Sequence, residues 1–428
     1  MAWRLELRGL GTPAQQSRVH GGLVNSLQMP LKNRISYASL LALLAACLLV
    51  LRGVPRLRDA AFFAEDGQIF FSQARDRGFG AFAQPYEGYL HVIPRIIAAV
   101  LEPFPVTAAP VLYAVAALLV HVAMLAPALS ARLEWIIPGQ MLRAVLFALL
   151  CLMPPLGEVL GNIANLIFVG GISLLLLMLS EDPRSGTGRV GELAAMAALG
   201  LSGPLIVFFV PWFVWRWRRT LSLHSLVVVG VAVAAALVQG LIFLFSDRQE
   251  SGGNLFYLPR VWLERIGLSW LFGDTVLPNS TWRMMVLWAL ALFWCVGAVV
   301  ITVVVLRRTA IALWLLHFTL LAAAVLTYGY MPPPFSWEGH LLLSWQRHFV
   351  VPTAIVILLL VAVVGARRWA MAAVAWLAVG AGAIVHDFAP APYPYRPDLT
   401  GLQQCLNRHE PVCRQTIFGD GWSVELRQ

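Results

Sequence analysis

Nine apolar runs recur along the chain, at 35–52, 106–130, 142–157, 163–180, 223–246, 284–306, 309–329, 349–366 and 369–386. Their lengths lie near the roughly 20 residues a helix needs to cross a bilayer. Membrane strands need only about 9–11 residues, so strands do not account for them. Hydrophobic residues make up 59% of the chain and charged ones 12%, against about 25% charged in soluble domains. A soluble globular fold is therefore excluded. The expected fold class is all-α, a polytopic integral membrane protein.

The stretch 190–215 is apolar enough to span once but carries Ser202-Gly203-Pro204 at its middle and Arg216, Arg218 and Arg219 at its end. Cytoplasmic loops collect Arg and Lys. The candidates are Arg4, Arg8, Arg18, Lys32 and Arg34, then Arg132 with Arg143, Arg184 with Arg189, Arg307-Arg308 and Arg367-Arg368. They place the N-terminus inside. A single span at 190–215 would leave the three following arginines outside, whereas two half-helices meeting at Ser202-Gly203-Pro204 keep them inside. Backbone groups at such a break need protein or a water-filled cavity around them. The hairpin gives about 11 membrane segments and an outer C-terminus. Three parts are expected: a cytoplasmic segment 1–34, a transmembrane domain 35–386 and a short outer tail 387–428.

Cys405 and Cys413, eight residues apart in the polar tail, are expected to form a disulfide in an oxidising compartment; two free thiols are the alternative. Cys47, Cys151 and Cys295 fall in apolar runs, as packing residues do. The formal charge of +9 is spread among short loops, which gives no nucleic-acid surface. Lys32 is the only lysine beside abundant Arg and Ala, the composition of a GC-rich bacterial genome.

The polar residues gather on the outer side, in 53–105, 247–283, 330–348 and the tail. A membrane protein built this way works on that face. In the first loop, 58–77 mixes apolar and polar residues at helical spacing, and 93–101 is a short apolar stretch; both read as interfacial helices. Tyr257, Arg260, Trp262, Arg265 and Trp270 suit the headgroup level.

Four groups can carry chemistry. Glu65 and Asp66 follow the first span; a carboxylate there can take a proton from an attacking hydroxyl or hold a metal on phosphate oxygens. Otherwise they are solvated charges or partners of Arg56, Arg58 or Arg75. His91 and Arg95 share one helix face if Pro94 sits in the first turn. Arg95 can then hold a phosphate oxygen, although it and Tyr89 equally suit headgroup anchoring. Glu158, Asn162 and Asn165 either face one cavity or form a turn with Pro154-Pro155 and Gly157. Arg347, in Trp345-Gln346-Arg347-His348, either snorkels or neutralises a lipid phosphate. His121 and His317 read as core histidines. No Walker A loop, dinucleotide fingerprint, HExxH or GxSxG is present, so nucleotide hydrolysis is not expected.

In Ala64-Glu65-Asp66-Gly67, in Gly88-Tyr89-Leu90-His91 through Arg95, and in Gln346-Arg347-His348-Phe349, the chain resembles the GT-C glycosyltransferases. These are multi-span membrane enzymes that use polyprenyl-phosphate-linked sugars. The resemblance implies a bacterial inner-membrane enzyme that moves a sugar, with inversion, to a glycan, lipid or protein acceptor on the outer face. Asp66 or Glu65 would be the base, and Arg95, Arg260 or Arg347 would stabilise the leaving phosphate. Tyr89, His91, Glu158, Asn162 and His348 complete the expected substrate site. The chain departs from the family in lacking an Asp-x-Asp pattern, so a divalent metal stays open as a cofactor. Its tail is also short where many members carry a large outer domain. Two rivals remain: a transporter or flippase of lipid-linked sugars, and an O-antigen ligase or polymerase that would rely on the arginines and His340 or His348.

Overall fold

The computed structural model describes residues 36–246, 253–273, 281–329, 345–390, 392–393, 395–418 and 421–427. The segment 1–34 expected to be cytoplasmic, parts of the loop 247–283 and most of the loop 330–348, including His340, lie outside them. From Tyr37 onward the chain forms one compact unit. It begins with α1 (Tyr37–Arg52) and α2 (Val54–Arg58), then a π-helical turn at Asp66–Phe71, α3 (Ser72–Arg77) and α4 (Val92–Leu101). Next come α5 (Ala109–Leu125), α6 (Gln140–Leu152), α7 (Leu166–Leu179), α8 (Gly186–Gly200), α9 (Leu205–Thr220) and α10 (Leu223–Leu244). Short α11 (Leu258–Trp262) and α12 (Ser269–Phe272) precede α13 (Thr281–Leu306), α14 (Arg308–Tyr328), α15 (Val350–Gly365), α16 (Ala370–Ala378) and α17 (Ala381–His386).

Among the described residues, five helices are long and apolar enough to cross a membrane: Ala109–Leu129, Leu223–Leu244, Trp282–Leu306, Arg308–Tyr328 and Gln346–Gly365. The protein is accordingly a helical, multi-pass type of chain. The remaining apolar helices run 10–17 residues, so helix length does not reproduce the count of about 11. Their ends are cut by local chemistry: α6 stops before Pro154-Pro155, where proline forbids continued helix.

Helices α7 and α15 are apolar all round, which is the signature of a helix enclosed by others. α7 buries every residue except Phe168, and α15 buries Val350 through Val363. They meet at Gly171, where a Cβ would lie 2.6 Å from Val351 Cγ2 and 2.7 Å from Leu205 Cδ1. The peripheral helices instead expose large apolar side chains such as Leu119, Leu237 and Phe293, as a hydrocarbon solvent allows.

Two buried arginines tie the helix ends. Arg52, fully buried, donates to the Cys151 and Met153 carbonyls (2.9 and 3.2 Å) and to those of Asp387 and Phe388 (3.1 and 2.6 Å). It thereby joins the ends of α1, α6 and α17. At the opposite end of the bundle, Glu192 of α8 accepts from Arg132 at 2.6 Å and from Arg216 of α9 at 2.7 Å, and its other oxygen lies 2.8 Å from His224 Nε2. Arg216 also pairs with Asp182 at 2.9 Å. Thus α9 returns the chain to the end where it entered α8. The break at 201–204 is the turn of a hairpin, as Ser202-Gly203-Pro204 suggested.

The tail corrects the all-α expectation. After α18 (Thr400–Asn407), strands β1 (Val412–Phe418) and β2 (Trp422–Arg427) pair antiparallel with Cys413 opposite Leu426. Cys405 and Cys413 are bonded, Cα atoms 5.8 Å apart. Nor is the tail separate from the transmembrane part. Ser423 N donates to Gln68 Oε1 at 3.0 Å, Val106 N to Gln403 Oε1 at 2.9 Å, and Arg396 pairs with Asp59. Gly67 is pressed closely on Ile417 Cδ1, so a side chain there would have to push that methyl group aside. Alternation in Val412–Phe418 and the glycine-rich sequence after it were the available strand signals, too short to stand out in an otherwise helical chain.

Glu192→Gln is expected to destabilise the protein by about 3–5 kcal/mol, because it leaves buried guanidinium groups short of charge; thermal unfolding in detergent checks this. Replacing Cys405 and Cys413 by serine is expected to cost roughly 2–3 kcal/mol for so short a loop. That loss should appear first as earlier proteolysis of the tail.

Candidate active site

The two neighbouring acids have different fates. Asp66 opens the π-helical turn and is 1% exposed. Its Oδ2 accepts from Ile163 N at 3.0 Å and its Oδ1 from Ala164 N at 2.9 Å, so both oxygens are engaged by the chain leading into α7. Glu65, one residue earlier, is only partly buried, and its Oε2 is sealed from solvent with no hydrogen-bond partner among the described residues. It is the acid with an oxygen that no described donor engages.

The segment 153–165 that receives Asp66 is a turn built on its own side chains. Asn162 Nδ2 donates to the Glu158 carbonyl at 2.7 Å, Asn162 Oδ1 accepts from Asn165 N at 3.0 Å, and Asn165 Nδ2 reaches the same carbonyl at 3.2 Å. Asn162 and Asn165 therefore form the turn instead of lining a substrate site. Glu158 points elsewhere. Its Oε2 accepts from Arg347 N at 3.1 Å, and its Oε1 lies 3.0 Å from Arg347 Nη1. The pair is nearly closed to solvent, with side chains 15% and 1% exposed.

Arg347 and His348 stand at one end of a cavity of about 440 Å³. Tyr89 and Tyr328 share that end, while the walls are apolar residues of α7, α9, α10, α14 and α15, among them Ile167, Leu205, Phe208, Leu320 and Val351. His348 packs edge-on against Phe168 (5.1 Å) and tilted on Tyr328 (4.5 Å). Tyr89 stacks on His91 at 4.5 Å. The result is a long apolar slot with a polar, cationic mouth, and Glu65 senses the charge of Arg347 there.

Some expected binding residues are held away from this mouth. Arg95 of α4 donates to the Gln84 carbonyl at 2.7 Å and lies over Phe70. His91 caps α4, and its ring sits among Phe70, Tyr86 and Tyr89. Burial, with Arg95 adding to it, lowers the His91 pKa to about 3, so it is neutral and packs. Pro94 does occupy the first turn, but the pair serves the loop's own core. Arg260 pairs with Glu264 at 2.9 Å on α11 and lies over Trp288, outside the cavity wall. Sequence reasoning missed Tyr328, whose only signal was an aromatic at a helix end.

Among the described residues no three His, Cys, Asp or Glu side chains converge as a metal site would require. Comparison with known proteins yields no matching family model, no matching curated protein and no matching solved structure.

Burial raises the pKa of Glu65, partly offset by Arg347, and raises that of Asp66 well above the ordinary value despite its two N–H donors. For Asp66 the folded state then holds its proton more tightly than the unfolded chain. The resulting stability is full below the unfolded pKa and is lost as pH rises through the folded one. Wild type is expected to lose unfolding midpoint relative to Asp66→Asn as pH is raised, which paired melts check. Asp66→Ala should cost about 1–3 kcal/mol for each of the two N–H groups it strands.

Proposed function

We propose that the protein is a multi-pass transferase that moves a sugar from a polyprenyl-phosphate carrier to an acceptor hydroxyl on the outer face of a bacterial cytoplasmic membrane. The observation that carries this reading is the apolar slot whose one polar end joins Arg347, His348 and Tyr328 beside an unpartnered acid, Glu65. An isoprenoid chain suits the apolar walls, and burying it contributes about 0.8 kcal/mol per CH₂. Its phosphate would then lie at the cationic end. The resemblance in Ala64-Glu65-Asp66-Gly67 and Gln346-Arg347-His348-Phe349 points the same way. In this reading about 11 segments cross the membrane, with the N-terminus inside and the disulfide-bonded tail outside.

The acceptor oxygen attacks the anomeric carbon as the bond from that carbon to the phosphate oxygen breaks. Glu65 takes the hydroxyl proton, and the lipid phosphate leaves with the electron pair and one added negative charge. Arg347 meets that charge. Fixed donors aimed at charge that develops only in the transition state are worth about 2.7–4 kcal/mol each in well-studied enzymes. Glu158, bonded to both the backbone and the guanidinium of Arg347, fixes the direction of that guanidinium. Asp66 positions the loop and leaves the proton transfer to its neighbour.

Purified protein supplied with a panel of polyprenyl-phosphate sugars is expected to release sugar, and Glu65→Gln to lower turnover about 100-fold or more while binding donor. Because burial raises the Glu65 pKa and the base must be ionised, wild-type turnover should rise with pH through a value above the usual glutamate range. The residual activity of Glu65→Gln should lack that limb. Donor binding without turnover on any substrate would replace this reading with a lipid-linked-sugar transporter.

A further inference from the structure

Arg56 lies in α2, directly after the first apolar helix, and is 2% exposed. Its Nε and Nη1 are sealed from solvent and have no acceptor among the described residues. Among the described residues no carboxylate pairs with it; the other buried arginines differ in this respect or in having carbonyls to donate to. Arg52 has four carbonyls, Arg216 has Asp182 and Glu192, Arg347 has Glu158 and Arg95 has Gln84 O. What Arg56 does have is an aromatic bed: its guanidinium lies 3.6 Å from the Tyr393 ring centroid.

This arrangement is built by three separate parts of the chain. The stem of Arg56 is pressed against the 153–165 turn at Gly161, which has φ +74° and where a Cβ would lie 2.8 Å from Arg56 Cβ. Tyr393 comes from the tail, is 2% exposed, packs on Phe63 and Phe418, and its hydroxyl accepts from Asn162 Nδ2 at 3.4 Å. A guanidinium cannot discharge itself by losing a proton in proteins, and a buried, unmatched charge costs several kcal/mol. Water satisfies donors but leaves that charge in place. The stacking on Tyr393 offsets only about 2 kcal/mol of it.

We propose that Arg56 and Tyr393 form an oxyanion-binding site that takes a phosphate group, either free or on a lipid headgroup. The fork of guanidinium donors matches phosphate oxygens, and the aromatic face orients the fork. The site uses neither Arg347 nor Glu65 and does not depend on the transferase reading. Because Tyr393 belongs to the tail and Arg56 to the start of the first loop, an anion there would fasten the tail in place.

The full-length protein in maltoside micelles, which contain no phosphate, provides the test. At constant ionic strength, ³¹P NMR follows inorganic phosphate in one arm and added phosphatidylglycerol in the other. Wild type is expected to give saturable line broadening in at least one arm, together with a saturable rise in Tm. Both should be lost in Arg56→Met and weakened in Arg56→Lys, which keeps the charge without the fork. A response to inorganic phosphate identifies a free-ion site, and a response to the lipid alone identifies a headgroup site. No broadening in either arm, or equal broadening in wild type and both variants, overturns the proposal. Arg56→Lys reports even if Arg56→Met does not fold.

Discussion

The pair of hydrogen bonds from Ile163 and Ala164 to Asp66 is the join on which the Arg347 end of the molecule depends. It fastens the first loop to the N-terminal end of α7, one of the two helices enclosed by the others. Because α7 meets α15 at Gly171, and Arg347 lies just before α15, the loop acid and the late arginine are referred to one rigid frame. Without that join, Glu65 and Arg347 would be set by independent loops. A buried carboxylate held by two backbone donors is also costly to release, since the N–H groups have no other partner.

Charge is arranged at the two ends of the bundle by different rules. At the Glu192 end, two arginines and a histidine converge on one carboxylate, and Asp182, Ser222 and Ser225 extend the network. Every charge there has a near partner, so the cluster acts as a fastener for α8, α9 and α10. At the Arg347 end the matching among the described residues is incomplete: Glu158 is paired, yet Glu65 keeps an oxygen without a donor and Arg56 keeps two donors without an acceptor. Polar groups left unmatched in a low-dielectric setting are where a ligand gains most by binding.

Much of the fold could be read from composition and spacing because the strongest forces there are local. Apolar runs fix the helices, Pro154-Pro155 and Ser202-Gly203-Pro204 fix breaks, and arginines such as Arg216 mark an end of the bundle. Residue roles in the site were less legible. Glu65 and Asp66 are adjacent and chemically alike, and only the fold reveals that one faces a turn's backbone and the other Arg347. Asn162 and Arg95 carried the right chemistry for a ligand but found carbonyls close by, which sequence spacing does not reveal. The tail's strands, a few residues each, depend on Gln68 and Phe63 more than 300 positions away, a contact no local pattern encodes.

The division of labour between the two acids follows from where each is buried. Desolvation raises both pKa values, which would make either a better proton acceptor than an exposed carboxylate. Asp66, however, has both oxygens held by backbone donors and is 1% exposed, so a substrate hydroxyl has little access to it. Glu65 has Arg347 near enough to favour its ionised form, and its free oxygen needs no displacement. Neighbouring carboxylates pushed into different environments commonly take different roles. In the proposed transferase, the more deeply buried one holds the loop on α7 and the less buried one would take the proton.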